Sequence, residues 1–188
     1  MMILSNPISE QPTIQEAIAS FYKQNNFGDD GGASKKWVWI KFGLFSFPIP
    51  NAESRSQNVY LHDVSHIVTG NDTSWKGESA VSAWEIASGG WGTLYFPWLL
   101  TLWAMGLGVA FYPSTTVNAF RNGLTMKNAF TSGISKEQLL QKPVSGLKTL
   151  LSNQPSTNKS MTAWFIISFF IFTLPLILSI LLLLLLFK

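Results

Sequence analysis

His62, Asp63, His66 and Glu78 are the residues of this chain whose types and spacing could do chemistry. They lie in HDVSHIVTGNDTSWKGE, residues 62–78, which holds both histidines of the chain. On an α-helix, positions 62 and 66 are about 40° apart around the axis, and position 63 falls within a ~100° arc, so three donors face one region. Glu78 falls in the first turn of the next predicted helix, and the short polar turn TGNDTS can fold it back onto the same spot. Two imidazoles and two carboxylates make a nitrogen–oxygen donor set. It suits Zn²⁺, and also Fe²⁺ or Mn²⁺, better than Mg²⁺, which takes oxygen. A histidine pair at this spacing also occurs as plain polar surface or as a satisfied core pair, so spacing alone leaves both roles open. Glu85, seven residues after Glu78 on the same helix face, is a candidate for orienting a ligand or carrying a proton, with an exposed carboxylate as the plainer alternative.

The elements that must position these residues are helical. Pro12 with Ile14, Ala17, Ile18, Phe21 and Tyr22 predicts a first helix with proline at N1. Residues 27–36 form a loop by their glycine and charge content, and 37–50, aromatic and interrupted by Pro48 and Pro50, fit either a short strand or a segment at a membrane interface. Asn51 is the expected N-cap of a helix running to about Val68 and stopped by Gly70, and Asp72 or Thr73 that of a helix ending at Gly89-Gly90. Leu94 to Tyr112 is an uncharged helix, Ser114 caps another, and Ser135 opens a short one with a capping-box pattern. The expected architecture is all-α: a helical metal-motif domain over 1–152, a polar linker over 153–161, and a C-terminal transmembrane helix over 162–187.

Composition supports contact with lipid. Eight Trp and fourteen Phe accompany only 12% charged residues. The net charge of +3, with no basic tract among the aromatics, argues against nucleic acid as a partner. With no cysteine, cysteine-based zinc knuckles and disulfide frameworks are excluded. The opening residues have no basic or apolar run of a signal peptide. Thr162 to Phe187 carry no charge and, as a helix, span roughly 39 Å, enough to cross a ~30 Å hydrocarbon core with tilt. Lys136, Lys142, Lys148 and Lys159 precede this segment, so the positive-inside rule predicts a single-pass protein with a cytoplasmic body. Leu94 to Tyr112 remains open as a second span.

HDVSH-x11-E resembles the HDxxH-x11-E signature of the coenzyme Q biosynthesis protein 4 family, and VTGNDTSWKGE is similar to that family's V-T-G-x-x-T-x-x-x-G-E. AFRNG and the later SKEQLLQKPVSGLKTLL are similar to its C-terminal part, so the resemblance covers about residues 50–151. It implies an all-α, membrane-peripheral protein of ubiquinone biosynthesis whose metal, usually zinc, is held by His62, Asp63, His66 and Glu78. The implied chemistry is oxidative decarboxylation of a polyprenylated ring, and the implied partners are a polyprenylated quinone precursor or membrane lipid and other quinone biosynthesis proteins. This chain departs from the family in its C-terminal apolar helix, in the aromatic segment 37–50, and in the arginine-rich stretch before the HD pair, reduced here to Arg55.

The remaining candidates fit a lipid ligand. Phe96, Trp98, Leu99, Leu102 and Trp103 would wall an isoprenoid groove, or else pack as core or face lipid in a second span. Arg121 and Arg55 are the only arginines and can hold an anionic headgroup, or else stand solvated. A non-catalytic prenyl-lipid scaffold and a metal-dependent lipid-phosphate hydrolase are the alternative functions. A homo-oligomer is compatible with the sequence.

Overall fold

The computed structural model describes residues 11–42, 45–153 and 158–186. The protein is mostly helical, and its helices surround one central member. α1 is Ile14–Asn25, and Thr13, not Pro12, sets its start. The Thr13 hydroxyl accepts from the Glu16 N–H while the Glu16 carboxylate accepts from the Thr13 N–H at 2.8 Å, a reciprocal pair that proline one residue earlier cannot make.

The segment 37–50 is a β-hairpin. β1 (Trp37–Phe42) pairs antiparallel with β2 (Phe45–Pro50), in a register from Trp37 opposite Pro50 to Phe42 opposite Phe45. Each strand of a two-stranded ribbon has an outer edge, which is why Pro48 and Pro50 are tolerated. Trp37 and Trp39 are exposed.

α2 (Glu53–Thr69) follows, with Ala52 at the cap position and no side-chain cap bond. Asn51 is diverted from capping: its amide donates to the carbonyls of Gly32, Ala33 and Lys35, and its oxygen accepts from Arg55. Gly70 ends α2 in the left-handed conformation at φ 71°, as its position in the sequence suggested. α3 (Trp75–Ala87) is capped by Ser74 instead of Asp72 or Thr73, because Asp72 turns its carboxylate to the Ser74 N–H and hydroxyl. From Ser79 to Ala87 every residue of α3 is buried. A helix covered on all sides shows no amphipathic stripe, and α3 is that helix.

α4 (Tyr95–Phe111) and α5 (Pro113–Leu124) pack on α3. Pro113 takes the N1 position of α5 with Tyr112 at the cap, so Ser114 lies inside the helix. Gly108 of α4 lets the two backbones close up: a Cβ there would stand 2.5 Å from the Ser79 Cβ. A 3₁₀ turn (Phe130–Ser132), α6 (Lys136–Leu140, capped by Ser135 as expected) and α7 (Val144–Ser152) complete the body. Ile14, Ile86, Met105, Phe120, Leu139, Leu147 and Leu151 are fully enclosed, each such apolar side chain contributing about 1.5–3 kcal/mol.

α8 (Met161–Leu186) is long and apolar enough to cross a membrane. Residues 154–157 of the linker expected over 153–161, and Phe187, lie outside the described residues. The first half of α8 packs on the body. Trp164 stacks on Trp98 at 5.3 Å, Phe165 meets Phe120 edge-on, and Phe172 meets Trp103 and Phe111. Gly106 makes the approach feasible, since a Cβ there would stand 2.1 Å from the Ser168 carbonyl oxygen. From Pro175 onward every described residue of α8 is exposed.

Trp98 meets Trp164 near the start of both helices and Phe111 meets Phe172 further along both, so α4 and α8 run parallel. Tyr95–Phe111 is apolar but shorter, and among the described residues α8 is the helix long and apolar enough to cross a membrane.

Candidate metal centre

Two adjacent helices bring the motif together. His62 and His66 project from one face of α2, and Glu78 projects from the first turn of α3 after the 70–74 turn. His62 Nε2 lies 3.3 Å from His66 Nε2 and 3.2 Å from Glu78 Oε2, and His66 Nε2 lies 3.5 Å from Glu78 Oε1. Ligands at 2.0–2.1 Å from a tetrahedral ion stand about 3.3 Å from one another. The two imidazole nitrogens already hold that spacing, and Glu78 meets each of them through a different oxygen. His62, His66 and Glu78 thus form a group that can hold a metal ion, with their ligand atoms within 4.8 Å of one another.

The other nitrogen of each ring is fixed. His62 Nδ1 stands 3.0 Å from Glu85 Oε1, and His66 Nδ1 stands 3.1 Å from the Asn71 carbonyl oxygen. With both Nδ1–H groups donating, each Nε2 is left to offer a lone pair to an ion in place of its contact with Glu78, the tautomer a metal ligand needs. Glu85 is 0% exposed, and its Oε2 has no hydrogen-bond partner among the described residues. A buried carboxylate directed at one imidazole fits a ligand-orienting role and rules out the exposed alternative.

Asp63 departs from the expected four-residue set. It is one residue, hence about 100°, round the helix from His62, and that rotation turns it toward α1. There its Oδ2 accepts from the Tyr22 hydroxyl at 2.8 Å. Burial raises the Asp63 pKa, although His62 and the Tyr22 bond act against it.

The candidate ligand wall is also differently employed. Trp98 and Trp103 pack against α8, Trp103 additionally against Trp75, and Leu102 packs against the cluster formed by Ala83, Ile86, Met105 and Phe120. Phe96 is partly buried and Leu99 half-exposed. These side chains line neither the cleft of about 330 Å³ that reaches His66 nor the one of about 600 Å³ between α3 and α5. Arg121 is exposed on α5, with no contact to the metal group among the described residues. Two features of the site escaped the sequence. The Asn71 acceptor is a backbone carbonyl, invisible to side-chain type, and Tyr22 read as one more member of an apolar stripe.

Without metal, the group shares protons. Burial opposes charge on His62, but Glu85 and Glu78 overcome it and raise its pKa well above 6.5. Burial likewise opposes charge on Glu78, while hydrogen bonds from His62 and His66 hold its pKa at about 2. His62 therefore stabilises the fold fully below about pH 6.5 and loses that effect as pH rises through its raised pKa. Glu78 contributes fully above pH 4.5 and loses its effect as pH falls toward 2. The chelated full chain in detergent is expected to melt highest between these limits, and at a lower temperature by pH 8.5. A melting temperature still rising from pH 6 to 8.5 would contradict the proton sharing. Metal affinity should run the other way, increasing with pH as the ion displaces the His62 proton.

Fold and site together define a helical protein with a histidine–carboxylate group suited to a metal and a C-terminal apolar helix long enough for a membrane. No family model, curated protein or solved structure matches the chain.

Proposed function

We propose that this chain is a membrane-anchored, metal-dependent protein of prenylated quinone biosynthesis, acting on a polyprenylated aromatic ring by oxidative decarboxylation with an external oxidant such as dioxygen taking the electrons. The observation that carries this is the convergence of His62, His66 and Glu78 on one point within HDVSH-x11-E, the motif on which the resemblance to the coenzyme Q biosynthesis protein 4 family rests. A two-histidine, one-carboxylate set leaves a fourth position free, as catalytic zinc sites do. Zn²⁺ is the favoured ion, with Fe²⁺ and Mn²⁺ as alternatives. Bound there, the ion would polarise an oxygen of the ligand. The protein's own residues do the rest: Glu85 and the Asn71 carbonyl hold the two rings, and the buried wall of α3 limits water on one side. α8 would keep the site beside the membrane in which such a ring is dissolved, with the body on the cytoplasmic side by its lysine excess.

The test is lipid extraction from membranes of cells carrying the wild type, Glu78→Ala or a deletion. An enzyme predicts that a carboxylated prenyl-ring precursor accumulates equally in deletion and Glu78→Ala cells. Normal lipid in Glu78→Ala cells would instead make the chain a non-catalytic scaffold, and unchanged quinone precursors in the deletion would refute the pathway.

A further inference from the structure

Arg55 lies on the same stripe of α2 as the two histidines. Positions 55, 62 and 66 fall within a ~40° arc, and Arg55 precedes His62 by two turns, about 10 Å along the axis. Its side chain is half-buried. Its Nη1 donates to Asn51 Oδ1 at 2.9 Å, and Asn51 is itself pinned by its amide to the three carbonyls of Gly32, Ala33 and Lys35. No other hydrogen-bond or ion-pair partner of Arg55 is seen among the described residues. A guanidinium offers five N–H donors in a rigid fork, and one is used here to hold it in place.

The charges around it face the metal group. Burial lowers the Arg55 pKa from its ordinary value, and Asp63, Tyr22 and Glu78 act in the opposite direction. Asp63 is already engaged by the Tyr22 hydroxyl and Glu78 by the two histidines. A partly desolvated cation is thus held near the group with most of its donors unspent. Leaving such donors unpaired is costly, and an anion that accepts from them recovers that cost.

We propose that Arg55 binds an oxyanion of the ligand held at the metal group, and so selects ligands bearing a carboxylate or a phosphate. The inference deepens the function proposed above and rests on a ligand occupying that site. It also moves the anion-binding role from Arg121, exposed on α5, to an arginine fixed in register with the ligating histidines.

Two probes separate the sources of the anion. 4-Hydroxybenzoate stands for a carboxylated ring and inorganic phosphate for a phosphate group, each titrated by ligand-observed NMR into the zinc-treated full chain in detergent. At least one probe is expected to bind the wild type. Arg55→Gln should weaken it about tenfold or more, since charge-assisted and bidentate contacts are the strong ones. Arg55→Lys should retain part of the affinity, and Arg121→Gln should leave it unchanged. Preference for 4-hydroxybenzoate assigns a carboxylate and preference for phosphate assigns a phosphate.

Binding of neither probe to the wild type, equal affinity in Arg55→Gln, or an equal loss in Arg121→Gln would each overturn the assignment. Zinc content, measured on the same samples, keeps the two proposals apart. It should be unchanged in Arg55→Gln, whereas zinc missing from the wild type would sink the metal proposal while the probe titration still reads Arg55. Far-UV circular dichroism and a melting curve must match the wild type for the comparison to count, and Arg55→Lys supplies the conservative substitution should Arg55→Gln fail to fold.

Discussion

One equivalent of zinc, iron or manganese is expected in the purified wild-type chain, and almost none in His66→Ala. His66 is 2% exposed and sits where α1, α2 and the 70–74 turn meet, its ring 5.4 Å from that of Phe21. Replacing it by alanine removes one of three converging donors, leaves the Asn71 carbonyl without its imidazole partner and opens a void beside Phe21. Losing a group that only orients a ligand costs about 10–100-fold in metal affinity, and losing a ligand should cost more. Glu85→Gln, which keeps the size but weakens the acceptor of the His62 Nδ1–H, is the internal scale: its loss should fall within that range and below that of His66→Ala. Elemental analysis with a competitive chelator gives both numbers. Equal metal content in wild type and His66→Ala would remove the metal site. A second consequence follows from linkage: saturating metal at about 100 times its dissociation constant should stabilise the wild type by about 2.7 kcal/mol and His66→Ala by much less.

Deleting all of α8 is expected to destabilise the body as well as release it from membranes, whereas deleting only residues 174–186 should release it intact. The difference lies in what each half touches. Met161, Trp164 and Phe165 pack on the cluster of Ala83, Ile86, Ala87, Met105 and Phe120, and Lys159 fastens the entry to the helix by donating to the Ile86 carbonyl at 2.6 Å while lying over Trp98 and Trp164. Uncovering two or three large apolar side chains costs on the order of 3–9 kcal/mol, a large share of the roughly 5–15 kcal/mol that holds a domain together. From Pro175 onward the described residues of the helix are exposed, so their removal should uncover little of the body. Membrane fractionation with an alkaline wash and thermal melting of both truncated forms check this. Equal melting temperatures for the two would show that α8 does not brace the body. A 174–186 deletion that resists the alkaline wash would shift the membrane contact to the body, where Trp37, Trp39 and Leu99 are exposed.

The parts legible in the sequence share a physical cause: each is set by neighbours along the chain. The two histidines four apart, Gly70 as a left-handed stop, Ser135 as a cap and the uncharged run of α8 follow from helical geometry, local hydrogen bonding and composition. Cap choice was less secure because rival acceptors lie a residue or two apart. The reciprocal bond of Thr13 with Glu16 starts α1 after Pro12, and Ser74 prevails over Asp72 as a cap because Asp72 bonds to Ser74 itself.

What the tertiary structure decided is where side chains with several outlets point. Asp63 turns to Tyr22, on a helix forty residues earlier, and Glu85 is buried because α3 is enclosed on every side. Trp98 and Trp103 serve the α4–α8 contact, since only the packed chain reveals that an apolar helix has an apolar partner running parallel to it. Arg55 and Arg121 are alike as letters. One is held by Asn51 beside the histidines and the other stands in solvent, a difference made by contacts between segments that no local pattern encodes. The sequence by itself determined the donor types, their helical spacing and the length of the apolar helix. The fold decided which donors meet, because convergence depends on the packing of α2 against α3 and not on either helix alone.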